Sequence, residues 1–323
     1  MTLSISFILA VLLACTDHSS ILAFRGDTFV SLRLPRPPVG ALVKHVVSVR
    51  LAATAELARE LTEHRTSPKE VVQMFDDYAS YFESKLVDTL EYSTPQDVAA
   101  RVSARIQSGR NGQLYSSILD AGCGTGLSGP YLRKMLADGG TLIGVDLSPK
   151  MAELAAELVV DDGQTPVVVD RMRRCTEPAR LASEEVPERL YDGVFTADLL
   201  DMSSSRPLEG YGSPVTSFPS QPFDLIVSAD VLVYFGEMRT ILKVFANRLA
   251  VGGDLVFSTE TLAEGDYKWV CLPGSERYAH CPEYIAQMAE EAGLVAVSQE
   301  AFTPRLEGGE KVLGTLHMFH KER

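Results

Sequence analysis

The stretch "SSILDAGCGTGLSGPYLRKML", residues 116–136, decides the fold class. An apolar run leads into three closely spaced glycines, Gly122, Gly124 and Gly126, and an amphipathic pattern follows them. Glycines at a strand-to-helix turn let a ligand approach the backbone, where the first N–H groups of the helix are free. The stretch therefore predicts a strand, a ligand-binding turn and a helix over residues 128–138.

Beyond this turn, short apolar runs alternate with helical patterns as far as residue 294. Near-continuous apolar strands separated by helices indicate a parallel sheet covered on both faces. The tail differs, because residues 295–305 and 311–321 alternate apolar and polar positions around the turn "LEGGE". We therefore predict an α/β fold with a doubly wound, mostly parallel sheet and a C-terminal antiparallel strand pair at its edge.

The rest of the chain suggests three regions. Residues 1–50 read as a presequence, residues 51–110 as an N-terminal helical lid with helices at 53–64 and 67–90, and residues 111–323 as the main domain. Two polar segments near 159–187 and 202–221 interrupt the alternation and are predicted to be surface insertions.

Composition limits the classes of function. Apolar residues make up 46% of the 323 residues, which is enough for a packed core. The 43 acidic residues outnumber the 30 basic ones, and a net charge of −13 argues against nucleic acid as a partner. The five cysteines are odd in number and lack disulfide or zinc-ligand spacing, so we expect a reduced, metal-free protein.

The first fifty residues predict targeting. The apolar run at 5–14 is too short to span a bilayer but fits a signal-peptide core, and residues 25–50 carry five bases against one acid. Together they resemble the bipartite plastid presequence of algae with secondary plastids, in which a Phe follows the signal cleavage site, as Phe24 follows Ala23 here. The resemblance implies a plastid location without a membrane span in the mature protein. Plain secretion and a buried N-terminal helix remain as alternatives.

Acidic residues end three successive predicted strands. Asp120 precedes the glycines in a D-x-G-x-G-x-G pattern, Asp146 ends "LIGVD", and Asp198 lies in "TADLLD". The dinucleotide fingerprint would instead need Gly or Ala where Leu127 stands. Each acid alone could be an N-cap of the following helix, but together they mark the carboxyl edge where open α/β sheets bind ligands.

This pattern resembles the first motif of class I S-adenosylmethionine-dependent methyltransferases, whose fold is a Rossmann-like, seven-stranded sheet. The resemblance implies S-adenosyl-L-methionine as cofactor. Asp120 would help to fix its methionine end, Asp146 would hold both ribose hydroxyls, and Asp198 with Leu199 would receive the adenine. The other cofactor positions implied are Tyr78, Gly122, Cys123, Gly124, Thr125, Gly126, Leu147, Met151 and Ser228.

Three further stretches narrow the resemblance: "MFDDYASYFESKLVDTLEYSTP", "SADVLVYFGEM" and "LPGSERYAHCPEYIAQMAEEAGL". They look like a methyltransferase family that is known mainly from bacteria and is often fused to tetratricopeptide repeats, and they are also similar to the methyltransferase of the Williams-Beuren region. The similarity covers roughly residues 71–321. Residues 51–70 are too few for one repeat of about 34 residues, so no repeat-recruited partner is expected.

Methyl transfer needs alignment, and a base where the acceptor must lose a proton. The candidates are His280, Asp230 and Tyr278. A histidine titrates near operating pH, although His280 could equally pack or cap a helix start. Arg277 would either bind an acidic substrate or pair with Glu276 or Glu283 at the surface.

Tyr78 and Tyr81 would either close over the cofactor or be ordinary aromatic residues of an amphipathic helix. We thus predict a methyltransferase acting on a small molecule, with a protein side chain as second choice for the acceptor. The alternatives are a non-catalytic S-adenosylmethionine-binding module, which would be expected to lose the three acids, and an NAD-dependent oxidoreductase, which would want the other glycine spacing. The sequence gives no indication of the oligomeric state.

Overall fold

The chain forms two compact units, Met1–Leu61 with Pro273–Ser275 and Thr62–Leu272 with Glu276–Arg323. The computed structural model describes residues 20–25, 28–33, 66–79, 92–159, 173–174, 189–204, 206–207, 215–262 and 267–323. Within the first unit it describes an antiparallel hairpin of β1 (Ser20–Arg25) and β2 (Thr28–Arg33). The apolar run at 5–14, the predicted helix at 53–64 and Tyr81 lie outside the described residues.

The second unit contains the sheet and its helices. The helices are α1 (Pro68–Tyr78), α2 (Thr94–Gly109), α3 (Gly129–Arg133), α4 (Pro149–Ala156), α5 (Arg239–Arg248) and α6 (Pro282–Glu291). The strands are β3 (Tyr115–Ala121), β4 (Leu136–Asp146), β5 (Leu158–Val159), β6 (Arg173–Arg174), β7 (Gly193–Thr196), β8 (Arg206–Pro207), β9 (Phe223–Ser228), β10 (Leu249–Thr261), β11 (Trp269–Cys271), β12 (Tyr278–His280), β13 (Val295–Phe302), β14 (Leu306–Glu307), β15 (Glu310–Lys311) and β16 (Gly314–His320).

The sheet has the predicted topology. Strands β7, β4, β3, β9 and β10 are parallel neighbours in that order. Strand β16 then pairs antiparallel with β10, and β13 pairs antiparallel with β16. These seven strands form the mixed, mostly parallel sheet of a Rossmann-like class I methyltransferase fold, which confirms the predicted fold class.

Both faces of the sheet are buried because the inner parts of its central strands are mainly apolar. On β3, Leu119 faces a cluster that includes Phe245 of α5 and Ile285 of α6. Its neighbour Ile118 faces the opposite cluster with Val102 of α2, as expected from the alternation of side chains along a strand. Burying each such side chain stabilises the fold by roughly 1.5–3 kcal/mol.

The structure differs from the sequence prediction in three elements. The helix predicted over 128–138 ends at Arg133, because the Tyr115 N–H donates to the Met135 carbonyl at 3.0 Å and β4 begins at Leu136. Helix α2 was not predicted. Strands β11 and β12, which precede α6, were not predicted.

The two predicted insertions are described only in part. Within the first, Leu158–Val159 pairs with Arg173–Arg174. Of the predicted helix at 67–90, the described part is α1. No helix in the described ranges is long and apolar enough to cross a membrane.

Candidate active site

The glycine turn after β3 adopts a backbone that favours glycine. Gly122, Gly124 and Gly126 have φ values of 82°, 54° and 95°, in the left-handed region where a side chain is strained. A Cβ atom at Gly122 would lie 2.3 Å from Cγ2 of Val231, which follows β9. The turn is therefore in direct contact with the segment after β9, and both lie at the carboxyl edge of the sheet, where open α/β folds have their ligand crevice.

Asp146 ends β4 beside this turn. Its Oδ2 accepts the Gly124 N–H at 2.8 Å and its Oδ1 accepts the Ser148 N–H at 2.8 Å. Burial raises the pKa of Asp146 to about 6, against these backbone hydrogen bonds. Each carboxylate oxygen accepts two hydrogen bonds or more, so both oxygens can still receive a donor from a ligand.

Asp120 is buried at the end of β3, with 1% of its surface exposed. Its Oδ2 accepts the Tyr191 hydroxyl at 2.7 Å. Burial raises the pKa of Asp120 to about 7, the Tyr191 hydrogen bond opposes this rise, and the Asp146 carboxylate adds to it. Sequence reasoning missed Tyr191, which is 71 positions away and has no motif around it.

Asp198 lies after β7, at the same edge of the sheet. Its Oδ1 accepts the Leu200 N–H at 3.0 Å, so the carboxylate caps the turn that it begins. The capping role that the sequence left open for Asp198 is therefore present. Its predicted contact with adenine stays a prediction.

The other predicted cofactor residues surround the same turn. Thr125 is buried, and its hydroxyl finds no hydrogen-bond partner among the described residues. Ser228 is fully buried and donates to the Ala121 carbonyl at 2.9 Å, so it braces the end of β3. Cys123, Met151 and Leu199 are also buried, and Leu147 follows Asp146 directly.

Helix α1 crosses the carboxyl edge of the sheet. Its Asp76 accepts the Ser148 hydroxyl at 2.5 Å, at the start of α4. Its Phe75 packs edge-on against Tyr234, with ring centroids 5.7 Å apart. The helix therefore contacts the segments after β4 and β9, and its role as a lid stays a prediction. Tyr78, on the same helix, is partly buried.

Asp230 stands just beyond β9 with a φ of 58°, which is unusual for a residue with a side chain. Its N–H donates to the Ser258 hydroxyl at 2.8 Å. Its two carboxylate oxygens accept Nη1 of Arg305 at 3.1 and 2.8 Å. Asp230 is thus held in a fixed position beside Val231 and the glycine turn.

A cluster of ion pairs extends from this contact. Arg305 also pairs with Glu260, which lies near the end of β10, and Arg277 donates to Glu260 at 2.7 Å and to Glu307 at 2.6 Å. We call these five residues the acceptor-side cluster. The predicted surface partners of Arg277, Glu276 and Glu283, are replaced by Glu260 and Glu307 in the structure, because β12 runs parallel to the end of β10.

His280 lies on β12 and is completely buried. Its Nε2 is 2.8 Å from the Phe235 carbonyl, and burial lowers its pKa to about 4. The geometry favours the packing role that the sequence left open, since the ring reaches no open surface. A catalytic role for His280 stays a prediction without geometric support.

Tyr278 is also buried on β12, next to Gly236 and Cys271. Burial raises the pKa of Tyr278 to about 12, which keeps its hydroxyl neutral. Of the three predicted catalytic residues, Asp230 alone is shown partly exposed beside the glycine turn. No group of three or more potential metal ligands occurs in the described part of the chain.

Comparison with known proteins gives a family and distant structural similarities. None of the curated proteins compared with the chain matches it. Among solved structures, magnesium protoporphyrin IX methyltransferase of Synechocystis PCC 6803 with bound S-adenosylmethionine is 15% identical, covers 70% of this chain and 79% of its own, and gives a TM-score of 0.41. The N-methyltransferase NodS of Bradyrhizobium japonicum with S-adenosylhomocysteine is 18% identical, with coverages of 69% and 87% and a TM-score of 0.41.

An S-adenosylmethionine-dependent methyltransferase of Clostridium acetobutylicum is 14% identical, with coverages of 76% and 98% and a TM-score of 0.43. At these values none of the structures bears on the substrate of this chain, and the narrower resemblance to the repeat-fused family stays a prediction. The family model described as a methyltransferase domain matches residues 90–299, which is more than half of the chain. The chain therefore belongs to this methyltransferase family.

Proposed function

We propose that this methyltransferase takes the methyl group of S-adenosyl-L-methionine and transfers it to a small-molecule acceptor. The observation that carries the proposal is the meeting of the glycine turn, Asp146 and Asp230 at one edge of the sheet. Gly124 donates to Asp146, and Val231, next to Asp230, contacts Gly122. The cofactor residues and the candidate acceptor residue therefore border one crevice.

The residues at the crevice fit this cofactor. Asp146 has two oxygens directed by backbone N–H groups, and each can accept one hydroxyl of a vicinal diol. The buried Thr125 hydroxyl without a partner costs free energy, which a polar ligand atom at the turn would recover. Asp120 and Asp146 offer negative charge to a cationic ligand.

The chain's residues contribute mainly alignment. The bound cofactor would supply an electrophilic methyl group on a sulfonium. Around it, α1 excludes water through Phe75 and Asp76, and the glycine turn fixes the backbone. Asp230, held by Arg305, faces the acceptor side and can accept a proton or a hydrogen bond from the acceptor.

Isothermal calorimetry with S-adenosylmethionine tests the cofactor site. Asp146→Ala removes two charge-assisted hydrogen bonds of roughly 1.5–3 kcal/mol each, and we expect the Kd to rise at least about tenfold. Asp138→Ala, at an exposed position of β4, is the matched control. A folded Asp146→Ala protein that binds as tightly as the parent would refute the assignment.

Incubation of a plastid-bearing cell extract with methyl-labelled S-adenosylmethionine tests the transfer. We expect label in the small-molecule fraction, and label in protein would favour the second choice of acceptor. Binding of the cofactor without transfer to any acceptor would instead favour the non-catalytic module. Tight binding of NAD would favour the oxidoreductase.

We further propose that residues 1–50 direct the protein to a plastid. The support is the short apolar core followed by an acid-poor, basic stretch. A fluorescent protein fused after Arg50 should reach the plastid, and Phe24→Ala should prevent this. Secretion of the fusion would favour the alternative address.

A further inference from the structure

The acceptor-side cluster restricts the kind of acceptor that the crevice can receive. Asp230 lies two residues beyond the end of β9, and Glu260 lies near the end of the neighbouring strand β10, which pairs in parallel with β9 with Ser228 opposite Phe257. Arg305, from the segment after β13, reaches between them and is almost completely buried. The cluster therefore forms one wall of the crevice at the edge where the acceptor must approach.

Both guanidinium groups in this wall are committed to carboxylates. Nη1 of Arg305 donates to both oxygens of Asp230 and Nη2 pairs with Glu260. Nε of Arg277 donates to Glu260 and its Nη2 to Glu307. Three carboxylates against two guanidinium groups leave one net negative charge. An anionic acceptor would meet repulsion, and it would have to break buried ion pairs to reach an arginine.

The charge of Asp230 also acts on two neighbouring tyrosines, Tyr92 and Tyr234. Burial, and then the charge of Asp230, raises the pKa of Tyr92 and of Tyr234, so both hydroxyls stay neutral. The charge of Asp120 adds to the rise in the pKa of Tyr92. Neutral tyrosine hydroxyls beside Asp230 add no positive charge that would attract an anion.

We propose that the acceptor presents a proton-bearing nitrogen or oxygen, an amine or a hydroxyl, to Asp230, and that it is not a carboxylate. This inference rests on the proposed function. The lone pair of the acceptor atom forms the bond to the methyl carbon, and the electrons of the bond that breaks stay on the leaving sulfur. The proton of the acceptor passes to Asp230 and then to solvent. Arg305 acts as a positioning residue, because it directs both oxygens of Asp230.

The stability of the product in alkali tests the acceptor class. Methyl-labelled S-adenosylmethionine is incubated with the full chain and the small-molecule fraction of the extract, and the product is treated with dilute alkali. N-methyl and O-methyl ether products keep their label, as we expect. Methyl esters release it as volatile methanol, which would overturn the inference while leaving the proposed function intact.

Failure to bind S-adenosylmethionine would refute the proposed function itself. Binding without transfer to any small molecule would overturn both the small-molecule acceptor and this inference. These outcomes are distinguishable because cofactor binding is measured by calorimetry and transfer by label.

Substitutions of Asp230 and Arg305 test the roles proposed for these two residues. Asp230→Asn should lower kcat/KM for the labelled acceptor on the order of 10- to 100-fold, the size of one charge-assisted hydrogen bond, with the Kd of S-adenosylmethionine changed by less than about twofold. Unchanged kcat/KM would overturn the assignment. Glu291→Gln, which breaks the exposed pair with Arg239 outside the crevice, is the control.

Arg305→Lys keeps the charge but loses the paired donors. If Arg305 acts through Asp230, the double variant Asp230→Asn/Arg305→Lys should have the same kcat/KM as Asp230→Asn alone. Additive losses in kcat/KM would show that Arg305 does not act by positioning Asp230.

Discussion

The buried carboxyl of Asp120 makes a prediction about stability that is separate from activity. Its pKa rises from 3.8 to about 7 because burial disfavours the charged form. When an acid has a higher pKa in the folded state than in the unfolded state, its full contribution to stability is present at pH values below the unfolded pKa. This contribution is lost as the pH rises through the folded pKa. For Asp120 the loss falls between about pH 4 and pH 7.

The size of the effect follows from the two pKa values. Ionising Asp120 in the folded protein costs about 4 kcal/mol in full, and roughly 2–3 kcal/mol of this appears between pH 5 and pH 8. Asp120→Asn keeps an oxygen that accepts the Tyr191 hydroxyl but has no proton to lose. Relative to the parent, the variant should therefore gain roughly 2–3 kcal/mol in free energy of unfolding over this pH range.

Urea unfolding at several pH values measures this difference. The single tryptophan, Trp269, packs against Tyr284 with centroids 4.8 Å apart and reports the loss of tertiary structure. Buried His280 and His317 have lowered pKa values of about 4 and 3, so they destabilise the fold as the pH falls. Their contribution cancels because it is common to both proteins.

Asp138→Asn, which removes the same charge from an exposed position, should keep the pH dependence of the parent. If the Asp120→Asn and parent curves run parallel from pH 5 to pH 8, Asp120 titrates as an exposed aspartate and the reasoning is refuted. Asp120→Asn should also bind S-adenosylmethionine more weakly than the parent does, because the variant lacks a carboxylate that can attract the cationic ligand.

Three further changes test other parts of the structure. Gly122→Ala should lower the free energy of unfolding, measured with urea, by about 1–3 kcal/mol, because Gly122 has a positive φ and a Cβ atom there would clash with Val231. The double variant Gly122→Ala/Val231→Ala should recover the part of this loss that comes from the clash. Asp254→Ala should cost about 3–5 kcal/mol in thermal unfolding, because it removes the buried carboxylate that pairs with Arg105 and accepts the Tyr115 hydroxyl, and a loss below about 1 kcal/mol would contradict this. Asp76→Ala should speed S-adenosylmethionine release in stopped-flow measurements with little change in melting temperature, whereas an unchanged release rate would show that α1 is not a lid.

The sequence predicted those parts of the fold that depend on local pattern. Apolar runs with glycines between them identify β3 and β4, and the acids at their ends lie where the pattern indicated. Helix α3 was predicted too long, because its last residues are drawn into pairing with Tyr115, a contact between separate segments. Strands β11 and β12 are three residues each, too short for a periodicity to be visible.

The candidate site was predictable only where a motif surrounds the residue. Asp120, Asp146 and Asp198 each lie at the end of a predicted strand, whereas Arg305 lies 75 positions from Asp230, at the end of a predicted edge strand with no motif around it. A pairing over this distance is set by the folded sheet, and a single sequence carries no local signal for it. His280 was chosen because it precedes a helix and because histidine titrates near operating pH, and neither property indicates the complete burial that the structure gives it.

Two buried aspartates at opposite ends of the sheet, Asp254 and Asp120, differ in the charges that surround them. Asp254 lies on β10, where the continuous pairing with β9 begins, and it is fully buried. It is paired with Arg105 at 3.0 Å and with His320 at 2.8 Å. Asp120, buried to the same degree, receives a neutral Tyr191 hydroxyl and feels a second carboxylate, Asp146, which raises its pKa further. Guanidinium groups of the protein thus stabilise the ionised form of Asp254 at one end of the sheet, whereas ionising Asp120 at the other end costs free energy. Since a buried carboxylate becomes favourable when a positive charge is supplied, a sulfonium or ammonium ligand at the carboxyl edge would offset the cost of ionising Asp120.

S-adenosylmethionine carries both groups, so its binding should release protons from the crevice near pH 7. Calorimetry in buffers of different ionisation enthalpy measures that release. Binding without proton release at this pH would show that Asp120 is already ionised in the free protein.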